Sequence, residues 1–355
     1  MAPIAPPALV LVTGATGFLA THLNKVLLEK GYRVRGTVRS AAKGERLRAL
    51  YNNAPGFSYV VVPDIGAPGA YDAPGVLDEE VQGIAHLASP IEVLGEDANP
   101  PAAEWLKPAV DGTLSILKAA GKFPSVKNVI VVGTLASVID FRLPTVEMTS
   151  ATWNEHSPAL LEQNGDNADW WTKYCASKVL SEKAAWKFWN ENRATLPYDL
   201  TYLLPSTIFG PILLKYDSPD SLVFSLKTLY NVFAKPVTDE ESLKKCYYTT
   251  TDVRDIARAH IDVFTRAELS GKRHILAEAK NPSWQDIYDT YWALPESRRV
   301  KFPNDVPRGK PGVSDDVKKT YPWFVTAEKD FGWNLIPLSD SLADSLQSFK
   351  DTGLL

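Results

Sequence analysis

Short runs of apolar residues recur along this chain, each followed by a longer stretch in which apolar positions return every three or four residues. The runs Ala8–Thr13, Arg33–Val38, Phe57–Val62, Gly83–Ala88, Val129–Thr134, Leu200–Leu204 and His274–Glu278 have the length and continuous apolar character of strands buried on both faces. Between the first two lies FLATHLNKVLLEKG, where Leu19, Leu23, Val26 and Leu27 make one apolar stripe and Gly31 supplies a helix stop. Further helices are expected over Trp105–Gly121 and Trp171–Asn192. Strand and helix in alternation predict an α/β protein, a parallel sheet covered on both faces.

After Leu204 the texture changes. Residues 205–250 and 281–355 are rich in proline and aromatic residues and weaker in periodicity, and they are expected to form a smaller C-terminal lobe. Residues 1–204, with a return over about 251–280 that holds a helix at Thr251–Phe264, are expected to form the main domain. Ser283, with Asp286 three residues on, reads as a capping pair that starts a helix. The last helix is expected over Ser339–Phe349, with Leu342, Leu346 and Phe349 on one face.

Composition narrows the partners. A net charge of −4 argues against nucleic acid and anionic membrane surfaces, which require basic patches. No run approaches the roughly 18 apolar residues of a membrane span. Two cysteines and five scattered histidines offer neither a disulfide framework nor a metal site, and a reducing, cytoplasmic setting is expected.

Chemistry enters directly after the first strand, in TGATGFLA. Gly14 permits a tight turn, Gly17 lets a pyrophosphate approach the backbone, and Ala20 lets the helix pack close to the strand. Thr16, Phe18 and Leu19 complete the turn and the helix start, whose N–H groups then face the phosphates. This predicts a Rossmann-type doubly wound sheet. At the end of the second strand, where NAD-binding proteins place an acid, stand Thr37 and Val38, followed by Arg39 and Lys43, which suit a 2′-phosphate. The expected cofactor is NADPH.

Tyr174 and Lys178 in YCASK lie four apart and share a helix face. A phenol is a poor acid–base catalyst at neutral pH, but a neighbouring ammonium favours its ionised form. The lysine can also hydrogen-bond a nicotinamide ribose. Taken together, TGATGFLA, VRS (38–40), PDI (63–65), HLASP (86–90), PAVDGT (108–113), YCASK, LPSTIFGP (204–211) and DVRDIARAH (252–260) resemble the extended short-chain dehydrogenase/reductases. Within them the chain is similar to the branch of fungal aldehyde and ketone reductases, methylglyoxal reductase and plant dihydroflavonol reductases. The resemblance implies an NADPH-dependent reductase of ketones or aldehydes, with Tyr174 as general acid. It further implies that Asp64 and Ile65 contact the adenine, that Leu87, Ala88 and Ser89 line the middle of the cofactor, and that Pro205 and Ser206 face the nicotinamide.

One departure stands out. Where the family carries T-S-S at the end of the fifth strand, this chain has Val132, Gly133 and Thr134. Thr134 aligns with the serine that donates to the substrate carbonyl and keeps a hydroxyl; Ser137 is the alternative donor. Trp171, Phe141 and Phe209, with Trp170, Tyr248 and the 215–235 segment, are expected to wall an apolar substrate pocket. DVRDIARAH is expected to supply a helix cap and an ion pair between sheet and lobe. Competing readings are a nucleotide-sugar epimerase or dehydratase and a non-catalytic NADPH sensor; the sequence leaves monomer and homodimer both open.

Overall fold

Each of the seven apolar runs is a strand, and all seven join one sheet. The computed structural model describes residues 3–67, 69–89, 99–139, 147–245, 249–302, 304–318 and 323–355. In it the strands are β1 (Leu9–Thr13), β2 (Arg33–Val38), β3 (Phe57–Val61), β4 (Val81–His86), β5 (Asn128–Val132), β6 (Asp199–Pro205) and β7 (Arg273–Leu276), in spatial order β7-β6-β5-β4-β1-β2-β3. The pairings from β3 across to β6 are all parallel. The order reverses between β1 and β4, which makes the crevice beyond their C-terminal ends the place where such sheets bind ligands. Central position explains composition: β1 reads LVLVT and every one of its residues is buried.

Helices fill the crossovers. Helix α1 (Phe18–Glu29) buries Phe18, Leu19, Ala20, Leu23 and Leu27, each large apolar side chain contributing roughly 1.5–3 kcal/mol. Gly31, at φ +84°, turns the chain out of it into β2. Helices α2 (Ala41–Leu50), α3 (Ala102–Ala120), α4 (His156–Asn164) and α5 (Trp170–Asn192) follow. Both α3 and α4 pack on α5, and the hydroxyls of Thr113 and Ser181 hydrogen-bond at 2.9 Å between α3 and α5.

The chain divides into two compact units, residues 1–140, 150–204 and 257–274 in the first, and 141–149, 205–256 and 275–355 in the second. The stretch that returns to the first unit is thus shorter than the anticipated 251–280. The second unit contains α6 (Phe224–Ala234), α8 (Trp284–Ala293) and α9 (Leu338–Asp351); helix α7 (Val253–Thr265) begins in it and ends in the first. The capping box at α8 is present: the Ser283 hydroxyl accepts the Asp286 N–H, and the Asp286 carboxylate accepts the Ser283 N–H at 2.7 Å. Asp252, fully buried, accepts the Arg254 N–H and pairs with its guanidinium, and Arg254 pairs on with Asp344. These partners all lie within the second unit.

Among the described residues no helix is long and apolar enough to cross a membrane, and no cluster of His, Cys, Asp or Glu could hold a metal ion.

Candidate active site

The glycine turn has the geometry its sequence implies. Gly14 sits at φ +64°, and a Cβ there would stand 3.1 Å from the Ala88 Cα, so both conformation and close approach require glycine. Gly17 is exposed and opens α1 with no side-chain cap, and no acid occupies the first turn. The helix therefore presents its first N–H groups without a competing side-chain acceptor, as an anion site requires. Thr16 is half-buried beside them, while Phe18 and Leu19 are buried. A cradle of this shape fits the pyrophosphate of a dinucleotide.

Thr37 is buried, and its hydroxyl accepts the Gly14 N–H at 3.1 Å. The position where an acid would select NAD is thus committed to holding the turn. Arg39 and Lys43 are exposed at the start of α2, where Ser40 is the N-cap. Asp64 is exposed and accepts the Gly66 N–H at 2.8 Å, which shapes the loop after β3; Ile65 is half-buried beside it.

Sequence reasoning missed Thr13. Its hydroxyl accepts the N–H groups of Leu87 and Ala88, both at 3.1 Å, and lies 2.9 Å from the Nδ1 of His86. Having accepted twice, it donates its one proton to that nitrogen, so His86 is protonated on Nε2. One hydroxyl thereby fixes the β4 loop expected to line the cofactor. Burial, with the Lys178 cation as a smaller cause, holds the His86 imidazole down at about 4. A histidine that is neutral in the fold but protonates near 6.5 when unfolded stabilises the protein above pH 6.5, and that contribution is lost as the pH falls towards 4. Urea unfolding of the wild type and of His86→Gln between pH 7 and pH 4 is expected to show the wild type losing on the order of 3 kcal/mol more. Parallel pH dependences would contradict this.

Helix α5 brings the tyrosine and lysine together. Lys178 Nζ lies 5.4 Å from the centre of the Tyr174 ring and donates to the Ser89 hydroxyl at 3.0 Å. Burial pulls the Lys178 ammonium down from its ordinary range to about 8. The Tyr174 ring is held by neighbours: Trp171 stacks on it at 5.3 Å and the buried Trp105 meets it edge-on at 6.3 Å. Lys173, fully buried, anchors the same helical turn through Asn99 Oδ1 and the carbonyls of Pro100 and Asp166, at 2.8–2.9 Å. Neither Trp105 nor Lys173 was foreseen; an aromatic and a lysine give no local sign of partners so far along the chain.

Thr134 stands two residues beyond β5, at the start of the turn Leu135–Ser137, and lines the same cleft as Ala88, Ser89 and Lys178. Its Oγ1 accepts the Ala136 N–H at 3.2 Å, which leaves the hydroxyl proton able to donate. Ser137 is buried and its hydroxyl donates at 2.6 Å to Glu182, so it is not the spare donor. The glycine before Thr134 also has a reason: a Cβ on Gly133 would come within 2.8 Å of Leu204 and 3.1 Å of Tyr202.

The remaining candidates divide. Pro205 ends β6, and the Ser206 N–H donates to the Thr251 hydroxyl at 2.9 Å. Phe209 is 1% exposed on the short strand Thr207–Phe209, a core residue of the second unit. Phe141 and Tyr248 lie outside the described residues. Burial pushes the Cys175 thiol well above its ordinary range, which removes it as a nucleophile.

Comparison with known proteins gives the family and the fold. The model of the NAD dependent epimerase/dehydratase family matches residues 10–276. An NADPH-dependent methylglyoxal reductase of Saccharomyces cerevisiae is 34% identical over 310 residues, 85% of this chain and 86% of the relative. Aldehyde reductase 2 of Sporidiobolus salmonicolor is 32% identical over 309 residues, 84% of each. The crystal structure of yeast methylglyoxal/isovaleraldehyde reductase complexed with NADPH superposes with a TM-score of 0.83 at 28% identity, covering 98% of this chain and 100% of that one.

Proposed function

The chain belongs to the NAD dependent epimerase/dehydratase family, and from that premise we propose that it is an NADPH-dependent carbonyl reductase that converts ketones or aldehydes to alcohols. The observation that carries this reading is the Tyr174–Lys178 pair on α5, with Lys178 lining one cleft together with Ser89 and Thr134. Gly14, Thr16, Gly17, Phe18 and Leu19 would hold the pyrophosphate, Arg39 and Lys43 the 2′-phosphate, and Asp64 with Ile65 the adenine. Leu87, Ala88 and Ser89 would line the middle of the cofactor, with Pro205 and Ser206 at its nicotinamide. Bound there, NADPH supplies the hydride that reduces the carbonyl carbon.

The chain's own groups do the rest. Thr134 and Tyr174 donate hydrogen bonds to the carbonyl oxygen, and these strengthen as negative charge develops on it. Tyr174 then gives up its phenolic proton, and Lys178 beside it stabilises the phenolate that remains. Lys178 would also hydrogen-bond the ribose hydroxyls of the bound cofactor; here it donates to the Ser89 hydroxyl. Trp171, stacked on Tyr174, forms one wall of the substrate pocket. The smaller unit is assigned to substrate binding and the larger to NADPH. The partner is a small molecule, and we place the enzyme in the cytoplasm.

The test is NADPH oxidation, followed at 340 nm, against a panel of aryl ketones, diketones and aldehydes, with NADH in parallel. Steady consumption of NADPH on at least one carbonyl class, with NADH much poorer, is expected. Tight NADPH binding with no turnover on any carbonyl would make the protein a sensor and end the reductase reading.

A further inference from the structure

Glu182 stands one helical turn beyond Lys178 on α5, and both line one cleft. A carboxylate and an ammonium so spaced attract each other, and the attraction steepens as water is excluded. Lys178 nevertheless reaches away, to Ser89. Glu182 is held by other groups. Arg273 Nε donates to its Oε1 at 2.7 Å and Nη2 to its Oε2 at 3.3 Å, in a pair whose side chains are 8% and 2% exposed. Ser137 donates to Oε2 at 2.6 Å and the Trp186 indole to Oε1 at 3.3 Å. Arg273 is fixed in turn: its Nη1 donates to the carbonyls of Ser150 and Thr152 at 2.6 and 2.8 Å, and its guanidinium lies 3.7 Å over the Trp153 ring.

We propose that Arg273 is a positioning residue for the reduction: by neutralising and saturating the Glu182 carboxylate, it keeps that group from drawing Lys178 away from Tyr174 and Ser89. The inference rests on the role given to Lys178 above and adds a residue, on β7, that touches neither substrate nor cofactor. A purely structural ion pair would brace α5 against β7 and have no effect through charge. The two roles differ in what happens when the second partner is also removed.

The experiment compares Arg273→Gln, Glu182→Gln and the double variant, reading kcat at saturating NADPH, the NADPH dissociation constant and the melting temperature. Arg273→Gln leaves a buried carboxylate one turn from Lys178 and is expected to lower kcat about 10- to 100-fold, equivalent to one or two pK units at the lysine. Glu182→Gln keeps an acceptor for Ser137 and is expected to hold kcat within about threefold. The double variant is expected to recover most of the activity lost in Arg273→Gln while its melting temperature stays low, because the Ser150 and Thr152 carbonyls still lack their donor. A double variant as slow as Arg273→Gln would overturn the proposal. If Arg273→Gln does not accumulate as folded protein, Arg273→Lys takes its place: it keeps the charge beside Glu182 but loses the fork to Ser150 and Thr152, and retained kcat at a lowered melting temperature supports the role, while a tenfold fall removes it. Lys178→Met separates the two levels. Full turnover in that variant ends the active-site reading itself; a dead Lys178→Met with no rescue in the double variant ends only the role of Arg273.

Discussion

Replacing Tyr174 by phenylalanine is expected to lower kcat by about 10²–10⁴ while the NADPH dissociation constant stays within about twofold. The substitution deletes one oxygen and its proton. It leaves the ring, and the ring carries the packing: Trp171 stacks on it and Trp105 meets it edge-on. Helix α5 is separately anchored by Lys173 one residue earlier, so the phenylalanine should occupy the same place. Lys178 keeps its bond to Ser89, and the glycine turn that holds the phosphates is untouched. The loss therefore reports proton donation and carbonyl polarisation. Thr134 alone remains to donate to the carbonyl, and a residual rate above the uncatalysed reaction is expected from that bond and from orientation. Turnover undiminished in Tyr174→Phe, with the fold intact, would remove tyrosine from the mechanism.

How much of this could be read beforehand follows from how far each feature reaches along the chain. The strands were legible because a buried parallel strand needs nothing but a short apolar run, and β1 to β7 each have one. The boundaries of α5 were legible to within a residue at its start, and the capping box of Ser283 and Asp286 at both partners, because caps act over three or four residues. Tyr174 and Lys178 were legible for the same reason. Thr13 stands in the sequence as the last residue of a strand and the first of TGATGFLA; its hydroxyl serves a loop that follows β4, and no local pattern announces that. Glu182 and Arg273 belong to α5 and β7 and meet only once the sheet has formed, so their pairing had no sequence signature beyond the spacing of Glu182 from Lys178. Phe209 was assigned to a pocket wall because aromatic residues serve cores and pockets alike, and burial alone separates the two uses.

Cofactor choice is the second large effect. Arg39→Asp is expected to weaken NADPH binding about 100-fold or more and to leave NADH binding nearly unchanged. A charge-assisted hydrogen bond to a phosphate contributes about 1.5–3 kcal/mol, and an aspartate there adds repulsion against the 2′-phosphate. The local structure makes the discrimination depend on few groups. Thr37, where a ribose-binding acid would stand, is buried with its hydroxyl accepting the Gly14 N–H, and it carries no carboxylate to accept from the ribose hydroxyls. Val38 is buried as well, and the first exposed side chain after β2 is Arg39, with Lys43 four residues on in the first turn of α2. Because both cations are exposed, salt should weaken NADPH binding more than NADH binding, and this difference should shrink in Arg39→Asp. Fluorescence titrations of wild type and variant with both nucleotides, at low and high salt, measure all of this at once. Equal wild-type affinity for NADPH and NADH would show that nothing at this edge of the sheet recognises the 2′-phosphate.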